Sequence, residues 1–410
     1  MAQKDIAIIG GGASGIMAAL TAAGAGARAV IWEKNPRIGR KLLATGNGRC
    51  NLTNVNAQSA CYHGGHPGFA ASALSLFSAA ETLELFESLG ITCKVEERGK
   101  VFPRSDQASS VLDVLRHELE ALEVQVRCDA PVTALEKTGG HFILTCQDGS
   151  RHLAAKVILA AGGKATPALS SPGLGYPLAE KMGHRIVTPF PALVPLKLEA
   201  PFLNHVHGVK WEGKVLIYAD EKPVASDSGE ILFTEYGLSG PPVLAVSRAA
   251  LSGVREGRKV QAAVNLVPEM SPGDLRNYLS ARLGRCRNKS LSFALVGFIN
   301  KRLIGAVLSS AGCRHPEKPG ADLGTGDLER LSSLLQDWRF PVTGSPSWTH
   351  AQVTAGGIDT RDIDAATLQS KHVPGLFFAG EIIDIDGDCG GFNLQWAWSS
   401  GRVAGRRAAE

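Results

Sequence analysis

Nowhere among these 410 residues does an unbroken apolar run approach the roughly 20 residues that a membrane span requires. Nor is there an excess of charge: 43 basic against 39 acidic side chains leave a formal +4, too small and too dispersed to argue for nucleic acid or an anionic membrane as partner. The eight cysteines are scattered without a C-x-x-C pair, which excludes a vicinal redox disulfide and points to reduced thiols in the cytoplasm. Metal-ligand spacing is lacking too, and no metal is expected. Asp384-Ile-Asp-Gly-Asp388 starts like a calcium loop, but Cys389 stands where the glycine belongs and Gln395 where the terminal glutamate belongs. Cys61-Tyr-His63-Gly-Gly-His66 has no fourth ligand. No internal repeat is visible. What is abundant is glycine, 47 residues of it, which suits tight turns and close approach of backbone to a ligand. With 44% apolar and 20% charged residues, the chain has the composition of a soluble protein of two or three domains.

The most informative glycines lie near the N-terminus. Ile6-Ala-Ile-Ile9 is an all-apolar run, as in a strand buried on both faces. Gly10, Gly12 and Gly15 follow in G-x-G-x-x-G spacing, and Ser14 can cap the next helix, whose apolar face is Ile16, Met17, Leu20 and Ala23. A second strand, Ala29 to Trp32, closes on Glu33, 18 residues after Gly15. This is the pattern of a dinucleotide site. Gly10 permits the tight turn, Gly12 lets a pyrophosphate approach the backbone, and Gly15 lets helix and strand pack closely. The first helical N–H groups, those of Ala13 and Ser14 among them, face the phosphates. Glu33 accepts the ribose hydroxyls and repels a 2′-phosphate. A secretory leader is excluded, because glycines interrupt the apolar stretch and an acid-terminated strand continues it.

Lys34 to Lys41 form a basic loop, followed by a segment dense in Gly, Asn and Thr. Arg40, Lys41 and Arg49 are candidates to balance a diphosphate, with Gly46, Gly48, Cys50 and Asn51 beside them. Here the chain resembles a known family. Ala44-Thr-Gly-Asn-Gly-Arg-Cys-Asn-Leu-Thr-Asn54 is similar to the signature of the bacterial BaiN-type NAD(P)/FAD-dependent oxidoreductases. Val101-Phe-Pro, Gly229-Glu-Ile-Leu-Phe-Thr-Glu-Tyr-Gly-Leu-Ser-Gly-Pro241, Val353-Thr-Ala-Gly-Gly-Ile358 and 375–401 resemble the same family in the same order.

That resemblance implies noncovalent FAD as the dinucleotide. It also implies an α/β fold: a Rossmann-like FAD-binding domain of the two-dinucleotide-binding-domain flavoprotein type, interrupted by an insertion. The expected boundaries are 1–189 with 346–410 for the discontinuous FAD-binding domain, 190–268 for a β-rich insertion, and 269–345 for its helical part. Strands are expected at 206–210, 215–218, 230–234 and 260–266, and helices at 68–91, 112–122, 272–284, 290–310 and 327–338. His205 and His207 would alternate on the first of those strands, and 314–326 is the expected flexible loop. Within the FAD-binding domain, Val132 and the glycine-ended return strand with Ala161 and Gly162 are expected at the cofactor. Gly380 and Glu381 would reach the ribityl chain. Gly391, Phe392, Asn393 and Leu394 would open a helix whose N–H groups face the flavin pyrimidine, where negative charge collects on reduction.

Only one G-x-G-x-x-G is present, so NAD(P)H is expected as a transient donor reaching the flavin through the substrate cleft. The implied activity is NAD(P)H-driven reduction of a small, enone-like organic acceptor at flavin N5. Arg49 and Asn51 would position flavin or substrate, and Tyr236, where the family commonly has histidine, would deliver the proton. Two other readings stay open. One is a flavin-dependent RNA-modifying protein, using Arg276, Arg282, Arg285, Arg287 and Lys289 as a basic face. The other is a redox sensor that holds FAD without turnover. Oligomeric state is not legible in the sequence.

Overall fold

A computed structural model describes residues 5–169 and 172–410. The chain divides into two compact units, Met1–Pro191 with Ala351–Glu410, and Ala192–His350.

The first unit is built on a five-stranded, all-parallel sheet. Its strands and principal helices, in chain order, are β1 (Asp5–Ile9), α1 (Ala13–Gly24), β2 (Arg28–Trp32), α2 (Phe69–Leu76), α3 (Ala79–Ser88), β3 (Gln125–Arg127), β4 (Lys156–Leu159), α4 (Gly175–Lys181), β5 (Leu376–Phe378) and α5 (Phe392–Ala409). The sheet order is β5-β4-β1-β2-β3. The apolar run at 6–9 pairs on both sides, Ile8 with Ile31 of β2 and with Ile158 of β4, and its side chains are buried on both faces. That is why no alternation was visible there. Sequence order departs from spatial order at β1, so the loops after β1, β4 and β5 open at one edge, where ligands of such sheets bind.

α1 and α5 pack closely because α5 carries glycine where α1 approaches. A Cβ on Gly401 would overlap the Ser14 carbonyl, and one on Gly405 the Ala18 carbonyl. The single helix expected over 68–91 is two. Phe77 is extended, and Ser78 starts α3 with a reciprocal capping box to Glu81. By length and composition alone Phe69–Ser88 matches a membrane span. However, α2 packs on α5, and Phe86 meets Trp398 edge-on at 5.3 Å, as in a core.

The second unit is a closed six-stranded barrel, in the order Leu196–Leu198, Gly237–Ser239, Lys222–Thr234, Lys210–Ala219, Val260–Asn265 and Trp338–Gly344. Leu198 opposite Val342 closes it. The last strand corrects the division at 268: the helices Pro272–Arg285, Leu291–Ala294, Lys301–Ser310 and Thr325–Gln336 are an excursion between two neighbouring barrel strands. Trp338, Phe340 and Val342 alternate inward, which is a strand's period, although Pro341 argues against a strand when read alone. Residues 206–210 are likewise not a strand. Leu203–Val206 is a helical turn containing His205, and β structure begins only at Lys210.

Candidate functional site

The three glycines after β1 face different neighbours. Gly10 has φ +111°, and a Cβ there would overlap the Ala160 carbonyl. A Cβ on Gly15 would overlap the carbonyl of Gly10, so strand and helix touch at that point. At Gly12 a Cβ would meet nothing within 4 Å. Among the described residues, the N–H groups of Gly12, Ala13, Ser14 and Gly15 find no acceptor. An open space faced by unpaired N–H groups at the positive end of a 12-residue helix suits a diphosphate.

Beside it, the buried Glu33 carboxylate accepts the Gly11 N–H (2.8 Å) on one oxygen and the Asn35 N–H (2.8 Å) and side-chain amide on the other. Asn35 in turn accepts from Arg40 at 2.8 Å. Glu33 is thus held in place with acceptor capacity remaining for a ribose. Burial lowers the pKa of neighbouring Lys34, against the raising influence of Glu33.

The loop at 44–54 is locked to the start of α5 across more than three hundred residues of chain. Asn51, in the orientation its neighbours satisfy, accepts the Gly391 N–H at 3.1 Å and donates to Thr53 and Val101 carbonyls. Asn54 donates to the Gly390 carbonyl (2.8 Å), Trp398 to the Leu52 carbonyl (2.8 Å), and Thr53 to Gln395. Gly391 has φ +102°, and a Cβ there would overlap the Thr53 carbonyl.

Within this loop Gly46 and Gly48 take left-handed conformations, and so does Cys50, which is fully buried with its thiol pushed up to about 12 by desolvation. Such a thiol stays protonated and inert at neutral pH. Arg49, expected to balance a diphosphate, is instead held by Glu96 (2.5 Å) and Asp106 (2.6 Å) over the Phe102 ring. Those hydrogen bonds raise its pKa further. Its charge is compensated by these two carboxylates.

Phe392, Asn393 and Leu394 present N–H groups that no acceptor takes among the described residues. The Asn393 side chain closes the preceding loop on both the N–H and the carbonyl of Gly387. Glu381, after β5, is bound on one oxygen by Lys41 (2.5 Å) and on the other by the Thr354 N–H (2.7 Å), so Lys41 also has a local counter-charge. Gly380 has φ +78°, and a Cβ there would overlap the Ser14 hydroxyl. Ala161 and left-handed Gly162 lie beyond β4, next to Gly10, and Val132 is buried at the start of its strand.

These residues therefore gather at the open edge of the first unit's sheet. Tyr236 belongs to the second unit, in the two-residue turn before Gly237–Ser239, with its ring 6.4 Å from that of His350. His63 and His66 turn to separate partners, Asp388 (2.7 Å) and Thr360 (3.0 Å). Residues not named as site candidates from the sequence also take part. Thr354 fixes the backbone of Lys164 and Ala165, and Tyr62 donates to the Phe392 carbonyl at 3.0 Å.

Residues 4–407 match the family described as HI0933-like protein Rossmann domain. The chain is 41% identical to a 3-dehydro-bile acid delta(4,6)-reductase of Clostridium scindens over 410 residues, 100% of both chains. It is 34% identical to a ribosomal RNA dihydrouridine synthase of Escherichia coli, over 98% of this chain and 96% of that one. A ribosomal RNA dihydrouridine synthase of Haemophilus influenzae is 27% identical, over 96% and 95%. The chain therefore belongs to the HI0933-like, BaiN-type family of FAD/NAD(P)-binding Rossmann oxidoreductases.

Proposed function

We propose that the protein is an FAD-dependent reductase of a carbon–carbon double bond conjugated to a carbonyl, in a small organic molecule, with NAD(P)H as electron donor. The observation that carries this reading is the pair of helix starts in one unit, α1 and α5, each presenting N–H groups without acceptors among the described residues. The first suits the diphosphate, held by Gly12, Ala13, Ser14 and Gly15, with Glu33 at the adenosine ribose. The second, at Phe392 to Leu394, favours negative charge beside it and suits the reduced flavin ring. Bound FAD would supply the hydride.

The full-length similarity to a bile-acid reductase supports the enone class, and the lower similarity to the dihydrouridine synthases supports RNA as a second reading. A 3-oxo-delta(4,6) system and the uracil ring of uridine each carry a double bond conjugated to a carbonyl, so the two readings share the chemistry of the acceptor. The basic cluster of the insertion weakens the RNA reading. Arg282 donates inward to the Ala294 and Val296 carbonyls and to Tyr278, and Arg276 pairs with Glu329 at 3.4 Å. Arg285, Arg287 and Lys289 are left for phosphates. Tyr236 remains the proposed proton donor.

The test is anaerobic reduction of the purified yellow protein by NADH or NADPH, then mixing with a steroid dienone or with unmodified ribosomal RNA. Rapid reoxidation by the dienone, slowed in Tyr236→Phe while reduction by NAD(P)H is unchanged, is the expected result. Reoxidation by RNA alone, with affinity falling steeply as salt rises, would replace this reading by the second.

A further inference from the structure

Tyr176 stands in the first turn of α4, and its ring is buried, 6% exposed. Among the described residues its hydroxyl has no hydrogen-bond partner. Leaving a hydroxyl buried and unpaired is costly, and phenylalanine would fill the same space without that cost. The residue's surroundings are the loops of the cofactor site. A Cβ on neighbouring Gly175 would crowd Ile382 and Ala161, and one on Gly173 would meet Lys164 and the Tyr176 ring itself. The start of α4 thus packs against the loop after β4, 160–164, and the loop after β5, 380–384. Burial, with Glu381 and Asp384 nearby, pushes the pKa of the Tyr176 phenol well above the ordinary tyrosine range. At neutral pH it is a protonated donor without an acceptor.

Sheet order decides which part of a dinucleotide lies there. β2, which leads into Glu33, is on one side of β1, while β4 and β5 are on the other. With the diphosphate at the start of α1, over the end of β1, the adenosine half extends toward Glu33. The other half extends past Ala161 and Glu381, toward Tyr176. We infer that Tyr176 is a positioning residue whose hydroxyl donates a hydrogen bond to the ribityl–flavin half of FAD. This rests on the FAD reading above and adds a residue that neither motif nor spacing marks.

The inference has an unusual thermodynamic signature. Tyr176→Phe removes an unmet donor from the flavin-free protein and a made hydrogen bond from the flavin-bound one. The two forms should respond in opposite directions. The experiment uses the full chain, stripped of flavin, in both versions, titrated with FAD and separately with ADP, alongside thermal melting. FAD should bind about 3- to 10-fold more weakly to Tyr176→Phe, as expected for one neutral hydrogen bond. ADP, which lacks the flavin half, should bind within about twofold of the unaltered protein, since no hydrogen bond to it is lost. The flavin-free variant should melt at the same temperature or higher, and the visible flavin band of the loaded variant should shift. Unchanged FAD affinity, or equal weakening toward FAD and ADP, would overturn the inference while leaving the FAD reading intact. Failure of the unaltered protein to bind FAD at all would overturn both.

Discussion

At the scale of the residue, Gly12 and Gly15 are three positions apart, and the same substitution should affect them in different ways. Gly12 has φ −83° and ψ −175°, a conformation open to any residue, with empty space where its side chain would go. Gly12→Val should therefore cost the flavin-free protein only about 1 kcal/mol, the loss of a tolerated N-cap, while filling the space a diphosphate needs and abolishing FAD binding. Gly15→Val meets the Gly10 carbonyl, which is backbone and cannot swing aside. It should cost about 3 kcal/mol or more through overpacking, whether or not FAD is present. Melting of both variants with and without FAD separates the cases. Equal destabilisation of the two flavin-free proteins would show that Gly12 is a packing glycine.

At the scale of the element, α1 and α5 carry the two helix starts, and their packing fixes where both point. Gly405→Leu would drive a side chain into the Ala18 carbonyl and separate the helices. We expect about 3 kcal/mol or more of destabilisation, together with weaker FAD binding although residue 405 touches no part of the site. A variant that melts lower yet binds FAD as before would show that the helix pair does not position the cofactor.

α4 ends in a different device. Just beyond it, His184 is buried, its Nδ1 toward the Ala179 carbonyl (3.1 Å) and its Nε2 toward the Ser370 hydroxyl (2.8 Å). The Ser370 oxygen also accepts the N–H groups of His372 and Val373. A second ring proton would face an oxygen already surrounded by donors. Burial lowers the His184 pKa below 6.5, with nearby His372 adding to the effect and the Ala179 carbonyl opposing it. The unfolded chain then binds a proton at higher pH than the folded one. The associated stability is complete above about pH 6.5 and is lost as pH falls from there through the lowered folded value. Unfolding by urea between pH 7.5 and 5 should therefore become easier with acid, and His184→Gln should flatten that slope. An identical slope in the variant would assign the pH dependence to other groups.

At the scale of the whole molecule, the barrel of the second unit closes without its helices. Val264 pairs with Trp338, so the chain leaves and re-enters the barrel at neighbouring points. Replacing 267–336 by a short turn should leave a folded protein that still binds FAD, because all the candidate FAD contacts lie in the first unit. If RNA is the substrate, Arg285, Arg287 and Lys289 go with the excised segment, and activity on RNA should go with them while a dienone is still reduced. Loss of FAD from the excised protein would mean that the helices are needed for folding.

How much of this was legible beforehand follows from the range over which each signal acts. The G-x-G-x-x-G spacing, the all-apolar strand at 6–9 and the acid at Glu33 are local patterns, readable because turn geometry and burial act on adjacent residues. Gly391 at the head of a helix was readable for the same reason. Nothing local marks Trp338–Gly344 as the closing strand of a barrel, since Pro341 weakens the pattern and its partners lie far away in the chain. Arg49 looked like a phosphate ligand because a free arginine in a glycine-rich loop usually seeks an anion. Only the fold brings Glu96 and Asp106 to it. The sequence by itself determined the parallel sheet, the first helix start and the family. The tertiary structure alone decided which polar groups find partners, leaving the Tyr176 hydroxyl without one among the described residues, because hydrogen bonding between distant segments depends on packing that no local pattern encodes.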